Sequence, residues 1–177
     1  MNHTAASQSK RILLGGGCFW CLETIFQRMD GVVKVTSGYS GGETINPSYQ
    51  QVCSGNTGHA EVIEVVYEPA KTNLEKILSL FFTIHDPTTL NRQGNDIGTQ
   101  YRSAIYYYED QEKSLLENLI EKHQKDFSEP IVTELAQARE FYPAEIEHHD
   151  YYNQNKNQPY CQLVIKPKID KYLKWKE

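Results

Sequence analysis

Apolar residues follow two different periods along the chain. In some segments they alternate with polar residues, and in others they recur every three or four positions. The first pattern is typical of strands and the second of amphipathic helices. The patterns predict strands at residues 10–14, 31–39, 59–68, 101–108 and 131–135. They predict helices at residues 18–29, 47–53, 73–85 and 110–127. Asp110 is the expected cap of the last of these helices.

This order of elements contains the β-α-β-β-α-β pattern of ferredoxin-like folds. We therefore expect an α/β (α+β) two-layer sandwich with a mixed, mainly antiparallel sheet. The rest of the chain is polar and aromatic, and it predicts an irregular C-terminal extension that ends in a helix. A length of 177 residues fits one domain, which we expect at residues 10–177. Residues 1–9 lack the pattern of a secretory signal, and we expect them to form a disordered leader.

Composition and charge argue against several classes of partner. The net charge of −5 argues against a nucleic-acid partner. No apolar run approaches the roughly 20 residues that a membrane span needs, so no membrane partner is expected. The cytoplasm, where thiols stay reduced, is the expected compartment. Four cysteines in such a compartment indicate redox catalysis, metal binding or no special role, rather than a disulfide scaffold.

Residues 15–21, with the sequence GGGCFWC, join a predicted strand to a predicted helix. A thiol on the first turn of a helix lies at the positive end of the helix dipole, which stabilises a thiolate. Cys18 is therefore the candidate nucleophile, and a glycine-rich turn with two buried cysteines is the alternative interpretation. Cys21 lies on the same helix face. The C-x-x-C spacing leaves a thioredoxin-like dithiol–disulfide oxidoreductase using Cys18 and Cys21 as an alternative function.

Other titratable side chains have several possible roles. Glu61 falls in a strand rich in Val and Ile, where burial would raise its pKa and let it act as a general acid. A solvent-facing glutamate is the alternative interpretation. His148 and His149 lie among acidic residues without a Cys or His pair at zinc-finger spacing, so no metal site is expected. Cys53 is interpreted as an inert buried thiol.

Six short blocks stand between Arg11 and about Cys161. They are residues 17–20 (GCFW), 37–42 (SGYSGG), 46–49 (NPSY), 53–61 (CSGNTGHAE), 93–106 (QGNDIGTQYRSAIY) and 141–145 (FYPAE). In order and spacing they resemble the blocks of the peptide methionine sulfoxide reductase A family. A single four-residue motif is weak support for a family, whereas six blocks in register are specific.

This resemblance implies thiol-dependent reduction of the S epimer of methionine sulfoxide, protein-bound and free, to methionine. Reactions of this kind repair oxidative damage. Cys18 would attack the sulfoxide sulfur and become a sulfenic acid, while Glu61 would protonate the sulfoxide oxygen. The other implied site residues are the hydroxyl donors Tyr49 and Tyr101, the supporting Asp96, and the methyl pocket of Phe19 and Trp20.

The resemblance also implies how the sulfenic acid is removed. Cys161 follows Pro159 and Tyr160 in a C-terminal part that we expect to be flexible, and it matches the family's recycling cysteine. It would form a disulfide with Cys18, which thioredoxin would reduce. Thioredoxin is thus the expected partner and reducing co-substrate, and no cofactor is expected. Cys21, which many members of the family lack, is a possible alternative resolving thiol.

Overall fold

A six-stranded mixed sheet forms one layer of the computed structural model, which describes residues 8–177. Most of the expected disordered leader, residues 1–7, lies outside the described residues. The strands are β1 (Lys10–Gly15), β2 (Val32–Ser40), β3 (Ala60–Tyr67), β4 (Arg92–Gln93), β5 (Asp96–Ile97), β6 (Ala104–Tyr107), β7 (Glu134–Gln137) and β8 (Tyr142–Pro143). The helices are α1 (Phe19–Phe26), α2 (Tyr49–Cys53), α3 (Leu74–Ile84), α4 (Glu112–Gln124), α5 (Tyr151–Gln154) and α6 (Lys166–Lys176).

The strand order in the sheet is β7-β6-β1-β3-β2-β8. Strands β6 and β7 pair in parallel, whereas the other neighbours pair antiparallel. Strands β4 and β5 form a separate hairpin. The four inner strands are joined by α1, the β2–β3 connection and α3, which is the β-α-β-β-α-β order of a ferredoxin-like unit. The expected fold class is therefore confirmed.

The two faces of the sheet are covered differently. Ile12 and Leu14 of β1 join the main core, to which α1, α3, α4 and α6 also contribute. Leu13 points to the opposite face, because side chains alternate along a strand, and it packs with Val62 and Tyr106 in a smaller cluster. The long helices thus lie on one face of the sheet, which makes a two-layer arrangement.

The predicted strand 101–108 begins later than expected. Thr99–Tyr101 form a 3₁₀ turn after Gly98, which has a φ of +143°. The Tyr101 N–H bonds to the Gly98 carbonyl within this turn. Strand β6 therefore starts only at Ala104, and Tyr101 lies on the turn before it.

Two predicted details around α4 are wrong. Helix α4 begins at Glu112 after Gln111, and none of the described side chains caps it, so Asp110 is not its cap. The strand after it is Glu134–Gln137 rather than 131–135, because these residues pair with β6 in parallel.

The C-terminal third is more regular than expected. Strand β8 pairs with β2 at the edge of the sheet. A π-helical segment, Cys161–Ile165, runs directly into α6. The Cys161 side chain is fully buried in this segment and belongs to the main core. Cys161 thus lies in a regular, buried segment of this structure, and its expected flexibility stays a prediction.

The cap of α3 gives a test of these boundaries. Asn73 Oδ1 accepts a hydrogen bond from Lys76 N at 2.9 Å. We expect Asn73→Ala to lower the free energy of unfolding by about 1 kcal/mol, because the first turn loses its side-chain acceptor. Asp110→Ala is the matched control and should change it by less than about 0.5 kcal/mol. Urea unfolding followed by circular dichroism measures both values, and equal losses would contradict the described start of α4.

Candidate active site

Glycines turn the chain sharply between β1 and α1. Gly17 has a φ of +87°, which L side chains rarely adopt, and its N–H donates to the Tyr101 carbonyl at 3.2 Å. A Cβ atom on Gly16 would lie only 2.9 Å from the His85 ring. Both positions therefore favour glycine, and the turn leaves Cys18 at the N-cap of α1.

The Cys18 thiol is almost buried, with 7% of the residue exposed. Burial raises its pKa well above the usual value, and the charges of Glu61 and Cys21 raise it further. The backbone N–H of Trp20 lowers the pKa, as expected at a helix N-terminus, but this effect is smaller. The surroundings thus favour the thiol, whereas helix position alone led us to expect a stabilised thiolate.

Glu61 lies on β3 against the N-terminus of α1. The residue is 0% exposed, and its Oε1 accepts from Phe19 N at 3.1 Å. That N–H belongs to the first turn of α1 and has no partner within the helix. The pKa of Glu61 is raised to about 8, mainly by burial. The Phe19 N–H opposes this effect, and the Asp96 charge adds to it. The carboxyl group therefore holds its proton at neutral pH, directly beside Cys18.

One oxygen of this carboxyl group is available for a further contact. Among the described residues, Glu61 Oε2 is buried and has no hydrogen-bond partner. Because Oε1 accepts from Phe19 N, the acidic proton belongs on Oε2. A protonated carboxyl group in this position can donate to a bound oxygen atom.

The two tyrosines predicted as hydroxyl donors come from separate elements. Tyr49 begins α2, and Tyr101 ends the 3₁₀ turn. Burial raises the pKa of both phenols, the Glu61 charge raises them next, and the Cys18 charge also contributes. Both phenols are therefore within electrostatic range of this acid and thiol, and both are neutral donors at neutral pH.

Asp96 connects the β4–β5 hairpin to the C-terminal segment. Its Oδ2 accepts from the Tyr160 hydroxyl at 2.7 Å, and its charge raises the pKa values of Glu61 and Cys18. Tyr160 was noted in the sequence only as the neighbour of Cys161. The structure thus attaches the C-terminal segment to Asp96 through Tyr160, and the Asp96 charge adds to the effect of burial on the pKa of Glu61.

The aromatic residues beside Cys18 form a wall. Phe19 is fully buried, with its ring centroid 5.6 Å from that of Tyr39 and 6.4 Å from that of Tyr49. Trp20 is half-buried and stacks on Tyr151 at 3.7 Å between centroids. Phe19 thus supports the wall from the core, and Trp20 forms its accessible part.

Two residues of the segment after β8 hold this wall and Tyr49. Glu145 accepts from the Tyr39 hydroxyl and from Tyr49 N, both at 2.9 Å. Burial lowers the pKa of His148, and the Nδ1 of its neutral ring accepts from Trp20 Nε1 at 3.2 Å. Sequence reasoning assigned no role at the site to either residue. Their only sequence signal was the FYPAE block and a pair of histidines.

The chain resembles a known protein family over nearly its whole length. The family model for peptide methionine sulfoxide reductase matches residues 10–177. The chain belongs to the peptide methionine sulfoxide reductase family.

Members of this reductase family match most of the chain. The peptide methionine sulfoxide reductase MsrA of Sulfolobus acidocaldarius is 50% identical over 161 residues, covering 91% of this chain and 92% of the relative. Mxr1 from Saccharomyces cerevisiae in reduced form superposes with a TM-score of 0.83 at 36% identity, covering 86% of this chain and 89% of Mxr1. Mxr1 in complex with Trx2 gives a TM-score of 0.59 at 27% identity, covering 81% and 84%.

These matches confirm the expected class of enzyme, a peptide methionine sulfoxide reductase. They do not favour the alternative of a thioredoxin-like dithiol–disulfide oxidoreductase.

The remaining cysteines of the reductase differ in their surroundings. Burial raises the pKa of Cys21 to about 11, although the Lys168 charge and the nearby Tyr160 side chain lower it. Cys161 is 0% exposed, and burial raises its pKa as well. Cys53 is exposed at the end of α2. Its interpretation as a buried thiol is therefore wrong, because α2 turns only Val52 into the core.

Within residues 8–177, no group of His, Cys, Asp and Glu side chains is arranged to hold a metal ion. Over the same range, no helix is both long and apolar enough to cross a membrane.

The raised pKa of Glu61 predicts how stability depends on pH. The folded protein keeps the Glu61 proton up to about pH 8, whereas an unfolded glutamate releases it near pH 4.3. Stability is therefore lost as pH rises through this window, by at most about 1.4 kcal/mol per pH unit. Glu61→Gln removes this dependence.

We therefore compare the free energy of unfolding of Glu61→Gln with that of the wild type. The value for the variant minus the value for the wild type should increase from pH 5 to pH 8 and then level off. Urea unfolding at a series of pH values measures the difference, in which contributions from other groups cancel. A constant difference across the window would contradict a buried, protonated Glu61. Glu64→Gln, on the same strand, is the matched control.

Proposed function

We propose that this reductase converts the S epimer of methionine sulfoxide, protein-bound or free, to methionine through a sulfenic acid on Cys18. The single observation that carries the proposal is that the buried Glu61 carboxyl group accepts a hydrogen bond from the N–H of Phe19, the residue after the Cys18 N-cap. This arrangement supplies an acid and a nucleophile to one bound sulfur–oxygen group.

A sulfoxide needs activation because its sulfur is a poor electrophile. Glu61 donates its proton to the sulfoxide oxygen, and the Tyr49 and Tyr101 hydroxyls donate hydrogen bonds to the same atom. Cys18 attacks the sulfur and forms a bond to it, while the sulfoxide oxygen becomes a hydroxyl group. The hydroxyl group then passes to the Cys18 sulfur as the bonds from the substrate sulfur to Cys18 and to oxygen break, which releases methionine and leaves a sulfenic acid on Cys18. The sulfoxide sulfur gains two electrons and the Cys18 sulfur loses two, so the step balances without a further reductant.

Proton transfer during this step links Cys18 to Glu61. An ionised Glu61 raises the pKa of Cys18, so the thiol loses its proton more easily while Glu61 is protonated. As Glu61 gives its proton to the sulfoxide oxygen, the thiol proton replaces it. The pair thereby moves one proton without placing two negative charges side by side in a buried site.

The asymmetry of the site supports selection of one epimer. The Glu61 carboxyl group and the Tyr49 and Tyr101 hydroxyls supply hydrogen-bond donors, whereas the rings of Phe19 and Trp20 supply an apolar wall beside the Tyr49 ring. The methyl group packs on the wall while the oxygen meets the acid, and the rest of the substrate leaves towards solvent. A chiral sulfur satisfies all of these positions together in one configuration.

We propose that Cys161 resolves the sulfenic acid, releasing water and forming a Cys18–Cys161 disulfide. Thioredoxin then reduces this disulfide by thiol–disulfide exchange, and the yeast complex of Mxr1 with Trx2 supports it as the partner. The thiols carry both electrons, so no cofactor is required. Cys161 is buried at the start of the π-helical segment, so this segment has to rearrange. Cys21, one helical turn after Cys18, is the alternative resolving thiol.

We further propose that residues 10–177 form a single catalytic domain acting in the cytoplasm. A reducing compartment keeps thioredoxin and the catalytic thiols in the forms that turnover needs. The role of the reaction there is repair of oxidised methionine under oxidative stress.

The cysteine roles are tested by stoichiometry with separate epimers. Cys18→Ser should abolish reduction. Cys161→Ser should convert one S-epimer molecule per enzyme and then stop with thioredoxin, because the sulfenic acid remains. Cys53→Ser is the matched control and should cycle like the wild type. Full cycling by Cys161→Ser together with a single turnover by Cys21→Ser would move resolution to Cys21. Turnover of neither epimer by the wild type would refute the proposal.

The acid role of Glu61 is tested by the pH dependence of single turnover. We expect the wild-type rate to fall above about pH 8, because Glu61 then loses the proton that it has to donate. Glu61→Gln should be slower by roughly 10² to 10⁴ and should lack this alkaline limb. Rapid-quench measurement of methionine across pH 6–10 gives both rates. An alkaline limb that persists in Glu61→Gln would assign the limb to another group.

A further inference from the structure

Glu145 connects Tyr49 to the core of the sheet. Its Oε1 accepts from the Tyr39 hydroxyl, and its Oε2 accepts from Tyr49 N, both at 2.9 Å. Tyr39 is fully buried on β2. One carboxylate thus joins a fixed strand residue to the residue that begins α2.

Helix α2 depends on such outside contacts. It has five residues, far fewer than a helix needs to be stable alone. A capping box between Ser48 and Gln51 satisfies the backbone N–H groups of these two residues. The N–H of Tyr49 lies between them, and its acceptor is Glu145. The position of the first residue of α2 is therefore set from the C-terminal third of the chain.

The backbone around Glu145 is held by the sheet itself. In the β2–β8 pair, Gly38 faces Pro143 and Tyr39 faces Tyr142. The next residue, Ala144, donates its N–H to the Ser37 carbonyl at 2.9 Å. Glu145 therefore follows directly from a paired edge strand, beside the tyrosine that it contacts.

The charge of Glu145 suits an acceptor role. Burial raises its pKa, but the N–H groups of Tyr49 and Glu145 and the Tyr39 hydroxyl together hold it below the usual value. Glu145 is thus ionised at neutral pH, in contrast to Glu61. Hydrogen bonds to an ionised acceptor are stronger than those between neutral groups.

The same segment also restrains the Tyr49 ring. His148 lies one 3₁₀ turn after Glu145, and its ring centroid is 4.3 Å from that of Tyr49. Tyr49 is therefore held twice, through its backbone by Glu145 and through its ring by His148. A small shift at the start of α2 would move the Tyr49 hydroxyl away from Glu61.

We propose that Glu145 is a positioning residue for the reaction, and that its carboxylate places the Tyr49 hydroxyl where the sulfoxide oxygen binds. This inference rests on the proposed reduction of methionine sulfoxide. Glu145 itself does not touch the reacting atoms. It acts through Tyr49, and this separates it from residues that only support the fold.

A double-mutant cycle distinguishes the two roles. Single-turnover rates with S-methionine sulfoxide are measured for Glu145→Ala in the wild-type, Tyr49→Phe and Tyr101→Phe backgrounds. Misplacement of a catalytic donor is costly, so we expect a loss of about 10-fold in the wild-type and Tyr101→Phe backgrounds. In Tyr49→Phe, where there is no hydroxyl to place, the loss should be under about 2-fold. Glu147→Ala, at an exposed position in the same turn, should leave the rate unchanged.

Two further variants test the proposal without relying on the folding of Glu145→Ala. Glu145→Gln should keep the rate within about 3-fold, because an amide oxygen can accept from Tyr49 N while its NH₂ donates to the Tyr39 oxygen. Tyr39→Phe should also stay within about 3-fold, because it leaves the bond to Tyr49 intact.

Three results would overturn the positioning role. The first is that Glu145→Ala still lowers the single-turnover rate about 10-fold in the Tyr49→Phe background. The second is a Glu145→Gln rate as low as that of a Tyr49→Phe enzyme. The third is that Tyr39→Phe lowers the rate about 10-fold as well. Each of them presupposes an active wild type. A wild type that reduces neither epimer would instead refute the proposed function, so the two failures are distinguishable.

Discussion

The hydrogen bond from Phe19 N to Glu61 Oε1 is the contact on which the rest of the site depends. It joins the first turn of α1 to β3 and brings an acid beside Cys18, which precedes that turn. The N–H needs an acceptor because a helix cannot supply one at its own start. The acceptor is a fully buried carboxyl group that keeps its proton near neutral pH. A single contact therefore completes a helix end and fixes the carboxyl group in place, while burial keeps the proton on it.

The C-terminal third is attached to this centre by polar contacts between distant parts of the chain. Tyr160 bonds to Asp96, and Asp150 N bonds to the buried Glu23 of α1 at 2.9 Å. Glu145 and His148 hold Tyr49 and Trp20 in the same way. Each contact satisfies a group that would be costly to bury alone. These contacts attach the C-terminal third to the elements that carry the site.

Burial creates a conflict between the two halves of the proposed cycle. A dry site strengthens the hydrogen bonds that activate a sulfoxide oxygen, but it raises the pKa values of the thiols. In the proposed cycle, a protonated Glu61 lessens this conflict for Cys18 by removing one of the charges that raise the pKa of its thiol. Cys161 begins a π-helical segment, and π-helical turns are common at functional sites.

The sequence by itself determined the element order, the ferredoxin-like unit and Cys18 as the start of a helix, because these follow from local periodicity and glycine position. Family blocks indicated Glu61, Tyr49, Tyr101 and Asp96 as a set, although periodicity alone left Glu61 open. Tertiary structure decided that Glu61 is buried, that Cys161 is enclosed and Cys53 exposed, and that Glu145 serves Tyr49. The physical reason is that burial and pKa depend on neighbours brought together from far along the chain, as with Tyr49 and Glu145, which are 96 positions apart in the sequence.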